Sequence, residues 1–245
     1  MSKIKSTSVF LSLICTLIKY KKYINEDFNN NYDICKTISE KMIKKTGVEF
    51  EVIGKENIPE DGPTLVTSNH RSFFDIFSLV YAIDRSMSFA AAKELLSYPL
   101  IAKYINSIEC VLIDRNTKDL KAMREQLINM ENIINKNGLV IFPEGECSYY
   151  DTELKEFKKG GFMSTTKSDV SIVPTYIDYE SMSKVRKWMI PTGKTTIVFG
   201  EPFIPREELG KRVTPLEVAN YTRNKVLELK NNKISWFLMD FVIVL

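Results

Sequence analysis

From residue 48 onward, short apolar runs of β-type composition alternate with longer stretches whose apolar residues recur every three or four positions. No other feature constrains the fold as strongly. The β-type runs fall at 48–53, 64–68, 88–92, 109–113, 139–142, 171–177 and 195–199, and helical periodicity occupies 74–83, 95–105, 118–136 and 214–231. A strand followed by a helix, repeated at this spacing, predicts an α/β domain built on a largely parallel twisted sheet flanked by helices. With 245 residues, 44% of them hydrophobic and 27% charged, the chain is neither disordered nor a coiled coil. It is long enough to bury roughly three quarters of its unfolded surface and needs no disulfide or metal to hold together.

The first 47 residues differ from the rest. An apolar stretch at 9–18 is flanked by Lys3 and Lys5 on one side and by Lys19, Lys21 and Lys22 on the other. A basic start before an apolar core resembles a secretory signal, but no small-residue cleavage site follows. The stretch is also too short to span a bilayer, which takes about 20 apolar residues. Two readings remain: a helix lying in the membrane interface, with Lys and Tyr at headgroup depth, or an ordinary core helix. A second helical pattern at 26–45 ends at Gly47. Residues 1–55 hold ten lysines against six acidic residues, so the positive charge of a chain of net +3 is concentrated at this end. That asymmetry favours an anionic bilayer surface as partner. The chain is therefore read as a helical membrane-associating module, 1–47, followed by an α/β domain, 48–245. The apolar segment 234–245 is a second candidate membrane contact or a core helix.

Composition also excludes several functions. The net charge is weak and interspersed, with no basic stripe interleaved with aromatics, so nucleic acid is not an expected partner. The single histidine, His70, excludes any His-rich metal site, and no metal is expected. Four cysteines without a C-x-x-C pair read as reduced thiols of a cytosolic compartment.

Three segments carry possible chemistry. Asn69-His70-Arg71-Ser72-Phe73-Phe74-Asp75 follows directly on the run at 64–68. Five residues apart, His70 and Asp75 would face away from each other on one helix. They can meet if His70 lies in the loop and Asp75 in the first turn of the next helix, a placement supported by the cap spacing Ser72-x-x-Asp75. The carboxylate would then fix the imidazole tautomer and leave the other nitrogen free as a base. The alternative is that Ser72 and Asp75 only cap a helix. The second segment, Phe142-Pro143-Glu144-Gly145-Glu146-Cys147-Ser148, closes an apolar run at a strand's carboxyl end, where open α/β sheets place ligands. It reads equally as a plain Pro-Gly loop. The third, Val111 to Arg115, ends a strand in an acid and an arginine, which suits either a phosphate clamp or a surface ion pair. A phosphate-loop reading of Gly193-Lys194-Thr195 fails, because Trp188 stands where the first glycine belongs.

Taken in order, these blocks resemble the glycerolipid acyltransferase family typified by bacterial 1-acylglycerol-3-phosphate acyltransferases. Asn69, His70 and Asp75 match its N-H-x-x-x-x-D block, with Ser72 also in place. Ala92, Lys93, Glu94 and Leu95 match A-K-x-E-L with one residue fewer, and Ile113-Asp114-Arg115 matches I-D-R. Phe142 to Gly145 is F-P-E-G, Phe157, Lys158 and Gly160 fit F-K-x-G, and Val173-Pro174 is the late V-P block. Two departures stand out. Cys147 replaces the arginine of E-G-T-R-S, with Glu146 before it, and Glu109 stands where a glycine usually opens the I-D-R block.

The resemblance implies an acyltransferase in which His70, held by Asp75, deprotonates the acceptor hydroxyl for attack on an acyl-CoA or acyl-carrier-protein thioester. It implies no metal and no bound cofactor. Lys93, Arg115 and Lys158 become the cations for an acceptor phosphate, Glu144 and Gly145 shape the acceptor pocket, and backbone N–H groups near His70 or Gly145 become the oxyanion donors. The expected acceptor is 1-acylglycerol-3-phosphate, and the expected place is the cytoplasmic face of a membrane, as a peripheral or monotopic protein. Cys147 keeps open a same-fold enzyme for an aminolipid or glycolipid acceptor. A catalytically silent membrane-binding module is the other alternative, and the intact His70/Asp75 pair counts against it.

Overall fold

The computed structural model describes residues 3–148, 153–185 and 188–243, with side chains described for 7–148, 153–182 and 190–232. Seven strands form one sheet: β1 (Glu49–Ile53), β2 (Thr64–Ser68), β3 (Ser88–Ala92), β4 (Val111–Ile113), β5 (Leu139–Ile141), β6 (Ser171–Val185) and β7 (Trp188–Phe199). Their spatial order is β1-β7-β6-β2-β5-β3-β4. Every pairing is parallel except β6 with β7. The helices are α1 (Lys3–Tyr20), α2 (Phe28–Thr46), α3 (Phe74–Ala82), α4 (Pro99–Ser107), α5 (Leu120–Asn137), α6 (Pro205–Glu208) and α7 (Pro215–Ile243). A largely parallel sheet flanked by helices is thus the architecture, as the strand–helix alternation requires.

The central strands are short and apolar because both of their faces are covered. Leu65 and Val66 of β2 are fully buried on opposite sides of the sheet, and each such side chain stabilises the fold by about 1.5–3 kcal/mol. Leu65 joins the core under α5 and α7 with Ile134, Val218 and Val226, while Val66 joins Leu79, Ile83 and Phe199 under α3. The N-terminal helices pack on this second side. Leu13, Ile34, Ile38 and Met42 share a cluster with Phe74 of α3 and Tyr104 of α4.

Local signals place most helix ends. Asp27 caps α2 by accepting from the Asn30 N–H at 2.9 Å, and Gly47 closes it at φ 70°. Asp119 caps α5 through the Lys121 N–H. Thr214 and Glu217 form a reciprocal box at the start of α7.

The structure differs from the sequence expectation at three places. Residues 93–97 form a short 3-10 turn, and α4 starts only at Pro99, whose fixed φ suits a first helical position. β4 starts at Val111, because Glu109 takes a left-handed φ of 49° that ladder pairing does not accommodate. That conformation is costly for a residue with a Cβ, and the Glu109 carboxylate is held by Lys136 and Asn137. Finally, β6 and β7 run well past their apolar cores as a long antiparallel hairpin, masked in sequence by the polar stretch at 180–184 and by Pro191 and Gly193. The backbone of α7 continues to Ile243, but the side chains of the apolar segment 234–245 lie outside the described residues.

Candidate active site

β2 and β5 are neighbours in register, Thr67 opposite Ile141, so the loops after them leave the sheet side by side. His70 sits in the first loop and Asp75 in the opening turn of α3, as the spacing argument required. The imidazole Nδ1 lies 2.7 Å from Asp75 Oδ2. The same oxygen accepts the Arg71 N–H at 2.7 Å and the Ser72 N–H at 2.9 Å. Ser72 Oγ in turn accepts from the Phe74 N–H at 3.0 Å. Capping a helix and holding an imidazole are therefore not competing roles for Asp75; one oxygen does both.

The remaining oxygen of this fully buried carboxylate accepts from the Tyr179 hydroxyl at 2.5 Å. Asp75 thus receives four donors, a full complement for an ionised carboxylate. Because such a group only accepts, Nδ1 carries the imidazole proton and Nε2 keeps its lone pair. The Phe142 ring covers one imidazole face, with centroids 4.1 Å apart and planes 17° from parallel. The side chain remains 18% exposed.

The backbone of His70 is fixed as firmly as its ring. Its N–H donates to Glu144 Oε1 at 2.7 Å, and its carbonyl accepts from the Ser148 N–H at 2.7 Å. The second Glu144 oxygen accepts from the Lys155 N–H at 3.1 Å. Glu144 is only 2% exposed. Its carboxylate binds three loop segments together, and the residue lines a small cavity beside them with Asn69, Arg71, Ser148 and Tyr176. Asn69 anchors the same loop from the other side. Its amide donates to the Ile177 carbonyl at 2.9 Å and accepts the Ile177 N–H at 2.7 Å, adding a side-chain rung where the β2–β6 ladder ends.

Two of the three predicted cations meet at Gly145, which takes a φ of 75° to turn the loop. Arg115 Nη1 donates to the Gly145 carbonyl. The stem of Lys158 passes the same residue, with its Cγ 3.4 Å from where a Cβ on Gly145 would lie. Both side chains are exposed. Lys93, also exposed, lies 3.6 Å from Asp114 at the end of β4. Glu146, the acid that the sequence sets against a phosphate, pairs with Lys155 at 2.8 Å. That bond, with Lys158 and Arg115 nearby, holds its carboxyl below the usual range.

Four amide N–H groups near His70 and Gly145 are engaged within the loops: His70 with Glu144, Arg71 and Ser72 with Asp75, and Gly145 with the Phe142 carbonyl at 3.0 Å. These four serve the loop and not a bound oxyanion. Sequence reasoning also gave no sign of Tyr179, because a tyrosine on a strand carries no local mark of a partner 104 residues away.

The sequence model of the family described as Acyltransferase matches residues 49–178. A Chlamydomonas reinhardtii protein named 1-acyl-sn-glycerol-3-phosphate acyltransferase is 29% identical over 203 residues, which cover 81% of this chain and 58% of that protein. A Helicobacter pylori protein of the same name is 30% identical over 151 residues, 60% of each chain. This chain therefore spans less than two thirds of the length of these relatives. In fold it is similar to the crystal structure of the lysophosphatidic acid acyltransferase PlsC from Thermotoga maritima, with a TM-score of 0.70 and 23% identity over 94% of this chain and 98% of that one. The family match takes in more than half of the sequence and encloses every loop around His70, so this chain belongs to the acyltransferase family.

Proposed function

We propose that the protein transfers a fatty acyl group from an acyl thioester, on coenzyme A or acyl-carrier protein, to the hydroxyl of 1-acylglycerol-3-phosphate, giving phosphatidic acid. The observation that carries this reading is the imidazole of His70, held at Nδ1 by Asp75 at 2.7 Å on a side chain that stays partly exposed. Nε2 takes the proton of the acceptor hydroxyl as its oxygen attacks the thioester carbonyl. The tetrahedral adduct collapses with cleavage of the C–S bond, and the proton on Nε2 passes to the departing thiolate. Asp75 stabilises the imidazolium formed in between. Arg115 and Lys158, which both meet Gly145, are the cations for the acceptor phosphate, and Lys93, paired with Asp114 next to Arg115 in sequence, is the third. Glu146 is neutralised by Lys155 and leaves their charge available.

The same reading places the protein on the cytoplasmic face of a membrane, bound peripherally to anionic lipid. Supporting it, α1 buries Val9 and Leu13 against the fold and turns Leu11, Cys15 and Ile18 outward as one exposed stripe, with Lys19 and Lys22 beyond. Among the described residues, no helix is long and apolar enough to cross a membrane.

Cys147, in the place of the relatives' arginine, favours a second reading, in which the acceptor is an aminolipid or glycolipid hydroxyl. The test is an acceptor screen with detergent-purified protein and labelled acyl-CoA, alongside His70→Ala. Phosphatidic acid formed by the wild type and lost in the variant supports the proposal. Product from uncharged or amino acceptors alone selects the second reading. More than a few per cent of activity in His70→Ala removes His70 from the chemistry.

A further inference from the structure

We propose that Tyr179 is a positioning residue for acyl transfer: its hydroxyl, donated to Asp75 Oδ1, fixes the rotation of the carboxylate that holds the His70 ring. This rests on the reading of His70 as the base.

The inference starts from a side chain that needs an explanation. Tyr179 is 4% exposed, on a strand face otherwise lined by apolar residues such as Ile177 and Ile197. A phenol in such a place costs free energy unless its hydroxyl is bonded. Its bond is short, 2.5 Å, and it ends on a buried charge. Ser78 Oγ of α3 lies 3.4 Å from the same phenol oxygen. Burial first, and the neighbouring Asp75 charge second, push the phenol well above its ordinary value. The group therefore stays protonated and remains a donor.

The geometry explains what that donor does. Three of the four donors to Asp75 act on Oδ2: the imidazole Nδ1 and two loop amides. Bonds to one oxygen leave the carboxylate able to swing about its Cβ–Cγ bond with the other oxygen unsupported. Tyr179 supplies the hydrogen bond to that other oxygen, and it comes from a different element. The strand enters from across the sheet, and its ladder passes through a bulge just beyond, between Tyr179 and Ser181. With Oδ1 tied to β6 and Oδ2 tied to the loop, the carboxylate plane is fixed at both ends. The imidazole then has one orientation and one tautomer, which is what a base needs before its substrate arrives.

Tyr179→Phe removes the hydroxyl and keeps the ring. The expected result is a fall in kcat of about tenfold, the scale of one hydrogen bond to a charged group. KM for both substrates stays within about twofold. In an Asp75→Asn background, the same substitution causes no further loss, because the two residues act through one contact. Tyr104, whose phenol donates to the Leu17 carbonyl at 2.6 Å where α4 packs on α1, gives the control: Tyr104→Phe removes a bonded phenol hydroxyl and leaves kcat unchanged.

A second readout does not depend on catalysis. His70 is the single histidine, so the two imidazole nitrogen resonances of a labelled sample report its tautomer without ambiguity. In the wild type at neutral pH they show the proton on Nδ1, and in Tyr179→Phe the other tautomer gains population. An unchanged kcat, an unchanged tautomer, or a further loss in the Asp75→Asn background overturns the positioning role. Activity surviving in His70→Ala overturns the base reading instead, so the two failures are distinguishable.

Discussion

Replacing Glu144 by glutamine asks whether this residue shapes a substrate pocket or clamps the loop that carries His70. The two carboxylate oxygens accept backbone N–H groups from segments on either side, His70 at 2.7 Å and Lys155 at 3.1 Å. Glutamine keeps the shape but only one acceptor oxygen. One charge-assisted bond is lost, worth about 1.5–3 kcal/mol, and an NH2 group is set against an N–H donor in a site with little access to water, at about 1–3 kcal/mol. These contributions overlap, and a loss of about 3 kcal/mol is expected. In a chain of this size each kcal/mol lowers the melting temperature by about 2–4 °C, giving a drop of about 6–12 °C. Urea unfolding followed by far-ultraviolet circular dichroism measures the loss, and amide hydrogen exchange shows whether protection at the His70 N–H falls with it. A change below about 0.5 kcal/mol with His70 protection intact refutes the clamp. A raised acceptor KM at unchanged stability restores the pocket role.

Other outcomes follow from the same geometry. Cys147→Arg supplies the cation of the E-G-T-R-S motif and should lower KM for lysophosphatidic acid by several-fold while leaving KM for the acyl donor unchanged; steady-state kinetics with each substrate varied separately decides it. Burial pushes the Cys35 and Cys110 thiols up to about 12, so both should resist alkylation at pH 8, whereas exposed Cys15 reacts. Anionic vesicles should slow alkylation of Cys15, and mass spectrometry of the labelled peptides shows whether they do; equal rates with and without vesicles argue against α1 as the contact. Asp84, bonded to Lys36 and Lys55, has its carboxyl held below the ordinary 3.8. Its contribution is therefore present above that value and lost as pH falls through the depressed one. Asp84→Asn should cost under about 1 kcal/mol at pH 7, since the pair is exposed. The gap from wild type should close in acid, which unfolding curves at pH 7 and pH 3 measure.

The sequence by itself determined the layers and most of the boundaries. Period and composition act over a few residues, so buried parallel strands show as apolar runs, and Asp27, Gly47, Asp119 and the Thr214–Glu217 pair mark helix ends by hydrogen bonds within the same turn. The meeting of His70 with Asp75 is legible for the same reason, because five residues across a strand–helix junction leave few geometries. Tertiary structure alone decided what lies around that pair. Glu144 reaches the His70 amide across 74 residues, and Asn69 reaches Ile177 across 108. Tyr179 reaches Asp75 only because β6 is laid beside β2 in a particular register. A buried polar group must find a partner, but its own neighbours in sequence do not say which one. Strand order and register make that choice, and they come from the packing of the whole chain. The same contacts take up the amides of His70, Arg71, Ser72 and Gly145, because each is needed to hold a carboxylate or close a turn.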